Sequence, residues 1–527
     1  MDYVIVDREN WKPIPYEKVR FLPRGKALVR RPTCSREFEE LEPFFSVRPD
    51  LKEKWKREFA ERIALSFSLE SDFEVPLPKG KELEPHQKAA VEFIEKNEGK
   101  ALISSFMGSG KTVSVLSWFN LHPETRPVLI VCPLSVVYHW KKHVEDWVLE
   151  NKKVFLVNGK KVPKGFDFYV INWDKIPSRF DELAKIGFEA VIGDEAHYIK
   201  NLKAKRTKAF LKLTRKIRKK IFLTGTPLHN KVPDLFPVLH SLDPFEFPKF
   251  WDFVRSYCEV REKEIWDKKR GKVKYYEFGK PKNSEELFEK LRSTCLYRPD
   301  PEKLLEKLPP YKRILVAIAG SDDLIEASSA ISADTEGLTK ITPKSVEKLE
   351  EFFKRALNLK FPYLLNYVEN LLEQRDKLVV LLHHVHAVKT FCEYLKRKGV
   401  KHVAIVGDTP KRKREEAVKE FQNDPSVRVF VGGIEAAGEG LTLTAARDVV
   451  FGELRWNLEV MRQAEMRILR KGQTRRCFFH YLVVDGTIEV NVVERLSEKK
   501  KAVDEVLEGK KEKGKLFAET IKGGDEA

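Results

Sequence analysis

The chain has 527 residues, of which 42% are hydrophobic and 34% charged. This apolar fraction is enough for several buried cores, which excludes a wholly disordered chain, and the length predicts three or four domains. Since the sequence has no continuous apolar run of about 18 residues and does not begin like a secretory signal, we expect an intracellular protein that is neither secreted nor inserted in a membrane. If the source is a prokaryote or archaeon, we expect the protein in the cytoplasm or nucleoid, and if it is a virus, inside the infected cell. In a eukaryote we would expect it in the nucleus.

The charge balance points to a class of partner. The chain has 98 Lys and Arg against 80 Asp and Glu, a formal net charge of +18. Such an excess favours a polyanion, and without an evident amphipathic anchor we expect nucleic acid rather than a membrane. The six cysteines lie far apart with no C-x-x-C pair, which excludes a zinc finger and a disulfide framework.

The order of predicted strands and helices along the sequence indicates an α/β protein. Residues 1–80 alternate short apolar runs with charge, and their clearest element is a helix over residues 50–64. Five strands then alternate with helices, namely KALISS, PVLIVCP, FDFYVIN, EAVIGDE and KKIFLTG, and a second series consists of KLVVLLH, VKHVAIVG, VRVFVGG, DVVFGEL and FFHYLVV. This rhythm is typical of parallel sheets covered by helices on both faces. The predicted domains are an N-terminal accessory domain (1–80), a first lobe (81–243), a helical insertion and connector (244–375), a second lobe (376–500) and a charged tail (501–527).

A phosphate-binding loop follows the first of these strands. The sequence SSFMGSGKT ends a strand and starts a helix, as phosphate loops do, although Ser105 stands where the general pattern has its first glycine. Glycines let successive backbone N–H groups face phosphate oxygens, while a lysine adds charge and a threonine hydroxyl can bind Mg²⁺. The predicted nucleotide-binding residues here are Met107, Gly108, Ser109, Gly110, Lys111 and Thr112.

An acidic pair ends the fourth predicted strand. Asp194 and Glu195 lie in EAVIGDEAHYIKN, and ligands of parallel sheets bind at the carboxyl edge where such strands end. We therefore predict that Asp194 holds Mg²⁺ together with Thr112, and that Glu195 polarises the attacking water. An ordinary pair of acids at a helix N-terminus is the alternative interpretation.

With these elements in place, the chain resembles the Swi/Snf family of helicase superfamily two from about Leu83 to Lys500. The resemblance rests on LEPHQKAAVEF, VLIVCPLSVVYHW, YVINW, DEAH, FLTGTPLHN, GGIEAAGEGLTLTAA and RWNLEVMRQAEMRILRKGQ. Within the family, LLHHVHAV, VVFGELRWN and FWDFVRSYC are most similar to the annealing-helicase, or fork-remodelling, subgroup. Two differences stand out: Ser105 and Phe106 replace two acids of the family's loop, and Tyr297-Arg298 stands where the family has two arginines.

The resemblance implies two RecA-like lobes and further site residues. It gives Gln87 the reading of adenine, and it adds Gly440 and Gln463 to the nucleotide site. It makes Thr224 and Thr226 the link between ATP state and DNA contact. It also implies that Arg467 and Arg470, three apart on a predicted helix and so on one face, stabilise transition-state charge at the γ-phosphate as arginine fingers.

A basic segment follows the acidic pair. Residues 200–220 contain eleven Lys or Arg and no acid, and a helical spacing relates Lys205, Lys208, Lys212, Arg215 and Lys219. We expect sequence-independent contacts to DNA phosphates from Lys205, Lys208 and Lys212. A solvated helix face is the alternative.

The resemblance therefore implies a monomeric, ATP- and Mg²⁺-dependent translocase on double-stranded or forked DNA that remodels DNA or protein–DNA complexes. Two alternatives stay open. One is a strand-separating DNA or RNA helicase, and the other is a non-catalytic DNA-binding scaffold, which the altered loop at Ser105 and Phe106 would explain.

Overall fold

The chain forms two compact units, residues 1–301 and residues 302–499, and each is described by itself. The structure is a computed structural model that describes residues 3–7, 19–22, 26–45, 49–105, 108–159, 161–225, 231–267, 271–300, 303–304, 308–335, 343–437, 441–470 and 472–497. The predicted tail 501–527 lies outside these residues, as do Met107, Thr226 and Gly440. Within the described ranges, no helix is long and apolar enough to cross a membrane.

The first unit begins with a small sheet and three helices. Strand β3 pairs antiparallel with both β1 and β2, and the predicted helix over residues 50–64 lies within α3. The elements are β1 (Tyr3–Asp7), β2 (Val19–Leu22), β3 (Lys26–Arg30), α1 (Ser35–Glu40), α2 (Glu42–Phe45) and α3 (Pro49–Phe67).

A seven-stranded parallel sheet forms the centre of this unit, in the order β12-β4-β9-β8-β5-β7-β6. Its strands are β4 (Lys100–Ile103), β5 (Val128–Cys132), β6 (Val154–Leu156), β7 (Phe168–Asn172), β8 (Ala190–Asp194), β9 (Lys219–Leu223) and β12 (Leu296–Tyr297). The helices are α4 (Pro85–Lys96), α5 (Lys111–Trp118), α6 (Val137–Trp147), α7 (Ile176–Leu183), α8 (Lys205–Thr214), α9 (Phe236–Leu242), α10 (Phe250–Tyr257) and α11 (Ser284–Thr294).

Alternation along the strands divides the core between the two faces of the sheet. In β5, Val128 and Ile130 enter the core that contains Trp140 of α6, whereas Leu129 and Val131 enter the opposite core. Side chains of a strand point alternately to the two faces, so a strand covered by helices on both faces is apolar throughout. The apolar pattern therefore indicated these strands correctly, and all five predicted strands of the first series are present.

Two features of the middle segment were not predicted. Strands β10 (Cys258–Asp267) and β11 (Gly271–Pro281) form an antiparallel hairpin in a region whose pattern had indicated helices. The two-residue strand β12 returns from that region to pair with β4.

Helix α11 anchors the N-terminal helices to the rest of the unit. The ammonium of Lys290 is buried in an ion pair with Glu37 of α1 and lies 2.5 Å from a carboxylate oxygen of Glu246. Ser35 Oγ donates to Glu289 at 2.9 Å. The N-terminal helices are therefore bound to the body of the unit by a buried ion pair and by an exposed hydrogen bond.

The second unit contains a six-stranded parallel sheet in the order β13-β18-β17-β14-β16-β15. Its strands are β13 (Tyr311–Ile318), β14 (Leu378–Leu382), β15 (His402–Ile405), β16 (Val429–Gly433), β17 (Asp448–Phe451) and β18 (Cys477–Val484). Its helices are α12 (Asp322–Asp334), α13 (Pro343–Gln374), α14 (Val385–Arg397), α15 (Lys411–Asn423), α16 (Ile434–Ala437), α17 (Leu458–Glu465) and α18 (Ile488–Ser497). All five predicted strands of the second series are present, and the prediction of two parallel-sheet lobes with helical elements is confirmed.

Candidate nucleotide-binding site

Three neighbouring strands end at one edge of the first sheet. The order β4-β9-β8 brings together the loop that begins at Ser104, Thr224 directly after β9, and Asp194 at the end of β8. Thr224 N donates to Ile103 O at 3.2 Å and its side chain is buried. Parallel strands have their carboxyl ends on the same side, which is where ligands of open α/β sheets bind. The phosphate loop and the acidic pair, far apart in sequence, thus become neighbours.

The described part of the phosphate loop is tightly turned. Gly108 and Gly110 have φ angles of 80° and 82°, the left-handed region that favours glycine, and α5 begins at Lys111. Lys111 Nζ donates to Ser105 O at 3.0 Å, and the hydroxyls of Ser105 and Ser109 are 2.8 Å apart. The lysine predicted to contact phosphate is thus hydrogen-bonded to a carbonyl of its own loop.

Gln87 and His86 support the loop from the start of α4. Gln87 Oε1 accepts from the backbone N of Glu84 at 2.9 Å, while Gln87 Nε2 donates to Ser109 O at 3.0 Å. His86 Nε2 lies 2.8 Å from the same carbonyl, so this nitrogen carries the proton. A Cβ on Gly110 would lie 2.1 Å from Gln87 Nε2, so another residue there would displace the Gln87 amide from Ser109 O.

Asp194 lies in a shell of hydrogen-bond donors. Trp140 Nε1 donates to Asp194 Oδ2 at 2.9 Å, Glu195 N donates to Oδ1 at 3.0 Å, and Trp173 Nε1 donates to the Asp194 carbonyl at 2.8 Å. Burial, and then the negative charge of Glu195, raise the pKa of Asp194 from 3.8 to about 6, while Trp140 and Lys111 oppose the rise. The two tryptophans end two of the motifs that carry the family resemblance, VLIVCPLSVVYHW and YVINW. The signal that could have found them is that a buried indole N–H needs an acceptor.

The backbone turns sharply at Glu195. Its φ of 50° and ψ of 57° are left-handed, a conformation that costs a non-glycine residue on the order of 1 kcal/mol and that clusters at functional sites. His197 Nδ1 lies 3.3 Å from Glu195 Oε2. The carboxylate predicted to orient water therefore follows a strained turn and lies beside an imidazole.

Thr112 and Asp194 offer the oxygen donors that suit Mg²⁺. Thr112 is the second residue of α5 and partly exposed, and Asp194 is partly exposed at the same sheet edge. Mg²⁺ prefers oxygen ligands and commonly takes one or two from protein, completing its shell with water and substrate phosphate. The donor set fits this ion.

In the second unit, one structural expectation about the arginines is wrong. Helix α17 carries Gln463 but ends at Glu465, so Arg467 and Arg470 lie in the turns that follow and not on one helix face. The two guanidiniums nevertheless converge, because both donate to Leu441 O, at 3.4 Å and 2.9 Å. Leu441 directly follows the glycine-rich residues 438–440.

A buried ion pair fixes the end of α17. Glu465 is fully buried and accepts from Arg313 Nε at 2.6 Å and Nη2 at 2.8 Å, in the bidentate geometry of a strong pair. Tyr481 Oη donates to Glu465 at 2.5 Å. These contacts set the position from which the chain continues to Arg467 and Arg470.

Some of the basic residues that follow the acidic pair lie on α8. Lys205, Lys208 and Lys212, here called the α8 lysines, are exposed, while Thr207 and Phe210 are buried on the opposite face. The predicted helix was too long: α8 ends at Thr214, and Lys219 belongs to the central strand β9.

A different group of potential metal ligands, Glu350, His383 and His384, lies within 4.8 Å in the second unit. The guanidinium of Arg455 already provides the positive charge there, since its Nη1 donates to Glu350 at 2.6 Å and lies 2.9 Å from His383 Nε2. His384 Nδ1 in turn lies 2.5 Å from the buried Glu453. We interpret the group as a structural network.

Two family models match the chain. A SNF2-related domain matches residues 86–327, and a helicase conserved C-terminal domain matches residues 360–472. The chain belongs to the SNF2-related family. The family assigned from the sequence motifs is thereby confirmed.

Relatives of this SNF2-related chain are considerably longer. A "SWI/SNF-related matrix-associated actin-dependent regulator of chromatin subfamily A-like protein 1" of Xenopus tropicalis is 30% identical over 80% of this chain and 45% of the relative. The "DNA annealing helicase and endonuclease ZRANB3" of Mus musculus is 29% identical over 81% of this chain and 41% of the relative. The chain thus spans less than half the length of these relatives. Among solved structures, the Sulfolobus solfataricus SWI2/SNF2 ATPase core in complex with dsDNA is 22% identical with a TM-score of 0.40, covering 86% of this chain and 98% of that one.

Proposed function

We propose that the protein is a DNA-dependent ATPase that translocates on double-stranded DNA, including forked DNA, and remodels DNA or protein–DNA complexes. The observation that carries the proposal is the convergence of the phosphate loop with Asp194 and Glu195 at one sheet edge, in a chain of the SNF2-related family. The excess of positive charge and the names of the relatives support DNA as the partner.

ATP binding begins at the loop. The backbone N–H groups around Gly108 and Gly110 and the start of α5 receive the β- and γ-phosphates. Lys111 leaves the neutral carbonyl of Ser105 for a phosphate oxygen, and this exchange is favourable because charge-assisted hydrogen bonds to anions are the stronger ones. Gln87 supports the loop before ATP binds; when it reads adenine, its amide gives up the contacts to Glu84 and Ser109.

Hydrolysis uses the acidic pair. Thr112 and Asp194 would hold Mg²⁺, which supplies charge neutralisation at the phosphates. With a pKa of about 6, Asp194 is mainly ionised above pH 7, and the indole of Trp140 orients its carboxylate. Glu195 orients and polarises the attacking water.

Arg467 and Arg470 complete the proposal as the groups that stabilise negative charge on the transferred phosphoryl group. Their convergence on Leu441 O supports a joint role, because a shift of Leu441 would move the acceptor that both guanidiniums share. Thr224 would link the nucleotide state to DNA contact, since its backbone pairs with the strand that leads into the phosphate loop.

DNA contact is assigned to the α8 lysines. Exposed lysines on one helix face bind phosphates independently of sequence, and they release counterions when they do so. The resulting grip on DNA depends strongly on salt, and its alternation with the nucleotide state would move the protein along the duplex.

The deciding experiment measures ATP hydrolysis without nucleic acid and with double-stranded DNA, forked DNA, single-stranded DNA or RNA. We expect stimulation by duplex or fork, which Lys111→Ala and Glu195→Gln abolish while DNA binding survives. Lys185→Ala, in an exposed turn after α7, is the matched control and should retain activity. Stimulation mainly by RNA or single strands would instead indicate a strand-separating helicase, and no hydrolysis under any condition would indicate a non-catalytic scaffold.

A further inference from the structure

The end of β12 connects the N-terminal helices to the nucleotide site. Tyr297, the last residue of β12, is fully buried, and its hydroxyl lies 2.8 Å from the carbonyl oxygens of both Ser68 and His86. The next residue, Arg298, follows β12 at the edge where β4 also ends. Tyr297-Arg298 is the pair of residues that stands where the family has two arginines, and the sequence alone indicated no role for it.

The main chain of Arg298 is held on both sides. Its N–H donates to Ser66 O, near the end of α3, at 2.9 Å, and its carbonyl accepts from Arg292 Nη1 of α11 at 2.6 Å. Arg292 Nη1 also lies 2.9 Å from Ser66 O, and its guanidinium lies 3.7 Å from the ring centre of Phe67. Arg292 is 1% exposed, so its guanidinium is buried at this junction of α3, α11 and β12.

The side chain of Arg298 reaches the start of the phosphate loop. Its Nη1 lies 3.3 Å from Ser104 O and 3.2 Å from Ser104 Oγ. Ser104 and Ser105 are both buried, and Ser105 O is the acceptor that holds Lys111 Nζ. Arg298 therefore contacts Ser104, and the next residue, Ser105, provides the carbonyl to which Lys111 donates.

We propose that Arg298 is a positioning residue of the phosphate loop, which transmits the docking of α3 and α11 to Ser104 and so sets the affinity for nucleotide. It acts through Ser104 and not on the reacting atoms. The inference rests on the proposed function for its nucleotide, although the order of the loop can be measured without one. A group that pre-organises a binding loop lowers the cost of ordering that loop when ligand binds, and its loss therefore weakens binding more than it slows chemistry.

The test replaces Arg298 by Met, which keeps the apolar stem but removes the charge and the donors. We expect the Kd for a fluorescent ADP analogue and the KM for ATP to rise about tenfold, as for the loss of one charge-assisted contact, with kcat at saturating ATP within about twofold. Amide hydrogen exchange of residues 101–112 in the absence of nucleotide should become faster. Arg298→Lys, which keeps the charge but loses the planar fork, should give intermediate values.

A double-mutant cycle separates positioning from general destabilisation. Ser104→Ala removes the Oγ contact but keeps the carbonyl, so it should raise Kd modestly in the wild type and not at all in the Arg298→Met background. Should Arg298→Met fail to fold, Arg298→Gln replaces it in the same cycle. An unchanged Kd with unchanged exchange overturns the proposal, as does a fall in kcat with an unchanged Kd, which would put Arg298 on the reacting phosphate.

The exchange and cycle measurements also separate this proposal from the proposed function. If the wild type binds nucleotide without hydrolysing it, the ATPase proposal fails while Kd still tests Arg298. If it binds no nucleotide, hydrogen exchange of the loop alone decides whether Arg298 positions it: exchange that Arg298→Met leaves unchanged would refute that role.

Discussion

Replacing Asp194 by Asn should make the stability of the first unit less dependent on pH. Because the folded-state pKa of Asp194 is raised from 3.8 to about 6, its ionised form destabilises the fold at neutral pH. The difference of about 2 pKa units corresponds to about 3 kcal/mol at pH 8, at about 1.36 kcal/mol per unit. The cost falls as pH drops through 6, to about half that value at pH 5, and vanishes below about pH 3, where both states bind the proton.

The hydrogen bonds at this site give a second, pH-independent contribution. Both carboxylate oxygens accept, from Trp140 Nε1 and from Glu195 N, and an Asn amide can accept only one of these bonds. The mismatch costs about 1 to 3 kcal/mol at every pH. The change between two pH values is therefore the quantity that tests the charge.

The assay is urea unfolding of the wild type and of Asp194→Asn at pH 8 and pH 5. The variant should lose stability relative to the wild type on going from pH 8 to pH 5, by about half of the charge cost at pH 8. Trp140→Phe removes a donor that lowers the pKa of Asp194, so it should steepen the pH dependence of the wild type and have no such effect in the Asn background. If the difference in unfolding free energy between wild type and variant is the same at both pH values, Asp194 carries no raised pKa and the reasoning is refuted.

Three other substitutions have expected results. Gly110→Ala adds a Cβ that would lie 2.1 Å from Gln87 Nε2 at a φ of 82°, so it should weaken nucleotide binding by at least about tenfold. Gly80→Ala, at a φ of 76° with open space and outside the loop, is the control and should leave the nucleotide Kd unchanged; an unchanged Kd for Gly110→Ala as well would exclude the effect of the clash. Glu465→Gln leaves the half-buried Arg313 without its counter-charge and should destabilise the second unit by about 3 kcal/mol in urea unfolding, a prediction that a loss below about 1 kcal/mol would contradict. Replacing the α8 lysines by Gln should reduce the slope of log K for DNA against log salt by up to about 3, one for each lysine that no longer neutralises a phosphate, whereas an unchanged slope would make this surface a solvated helix face.

The central strands could be predicted because their burial determines their composition. Strands β5 and β14 are buried on both faces, so each appears as an uninterrupted apolar run between polar turns. The edge strands β6 and β12 could not be predicted in this way, because they have three and two residues. Strand β12 exists because its backbone pairs with β4, almost two hundred residues earlier in the chain.

The limits of periodicity are clear where two structures compete for one stretch of sequence. The basic helical spacing runs on to Lys219, yet α8 ends at Thr214, since Lys219–Leu223 is needed between β4 and β8. In the same way, the spacing of Arg467 and Arg470 indicated a shared helix face, whereas their common direction comes from Leu441 O. Pairing partners from elsewhere in the chain override a local repeat.

By itself the sequence determined the family and the parallel sheets, and it predicted the residues proposed to carry the chemistry, because phosphate loops and acidic strand ends need particular residue types in a particular order. The tertiary structure decided what surrounds those residues. Trp140 holds Asp194, Gln87 donates to Ser109, and Arg298 reaches Ser104 from the junction of α3 and α11. These contacts join segments whose separation in sequence carries no local signal, so they become visible only when the strands are placed side by side.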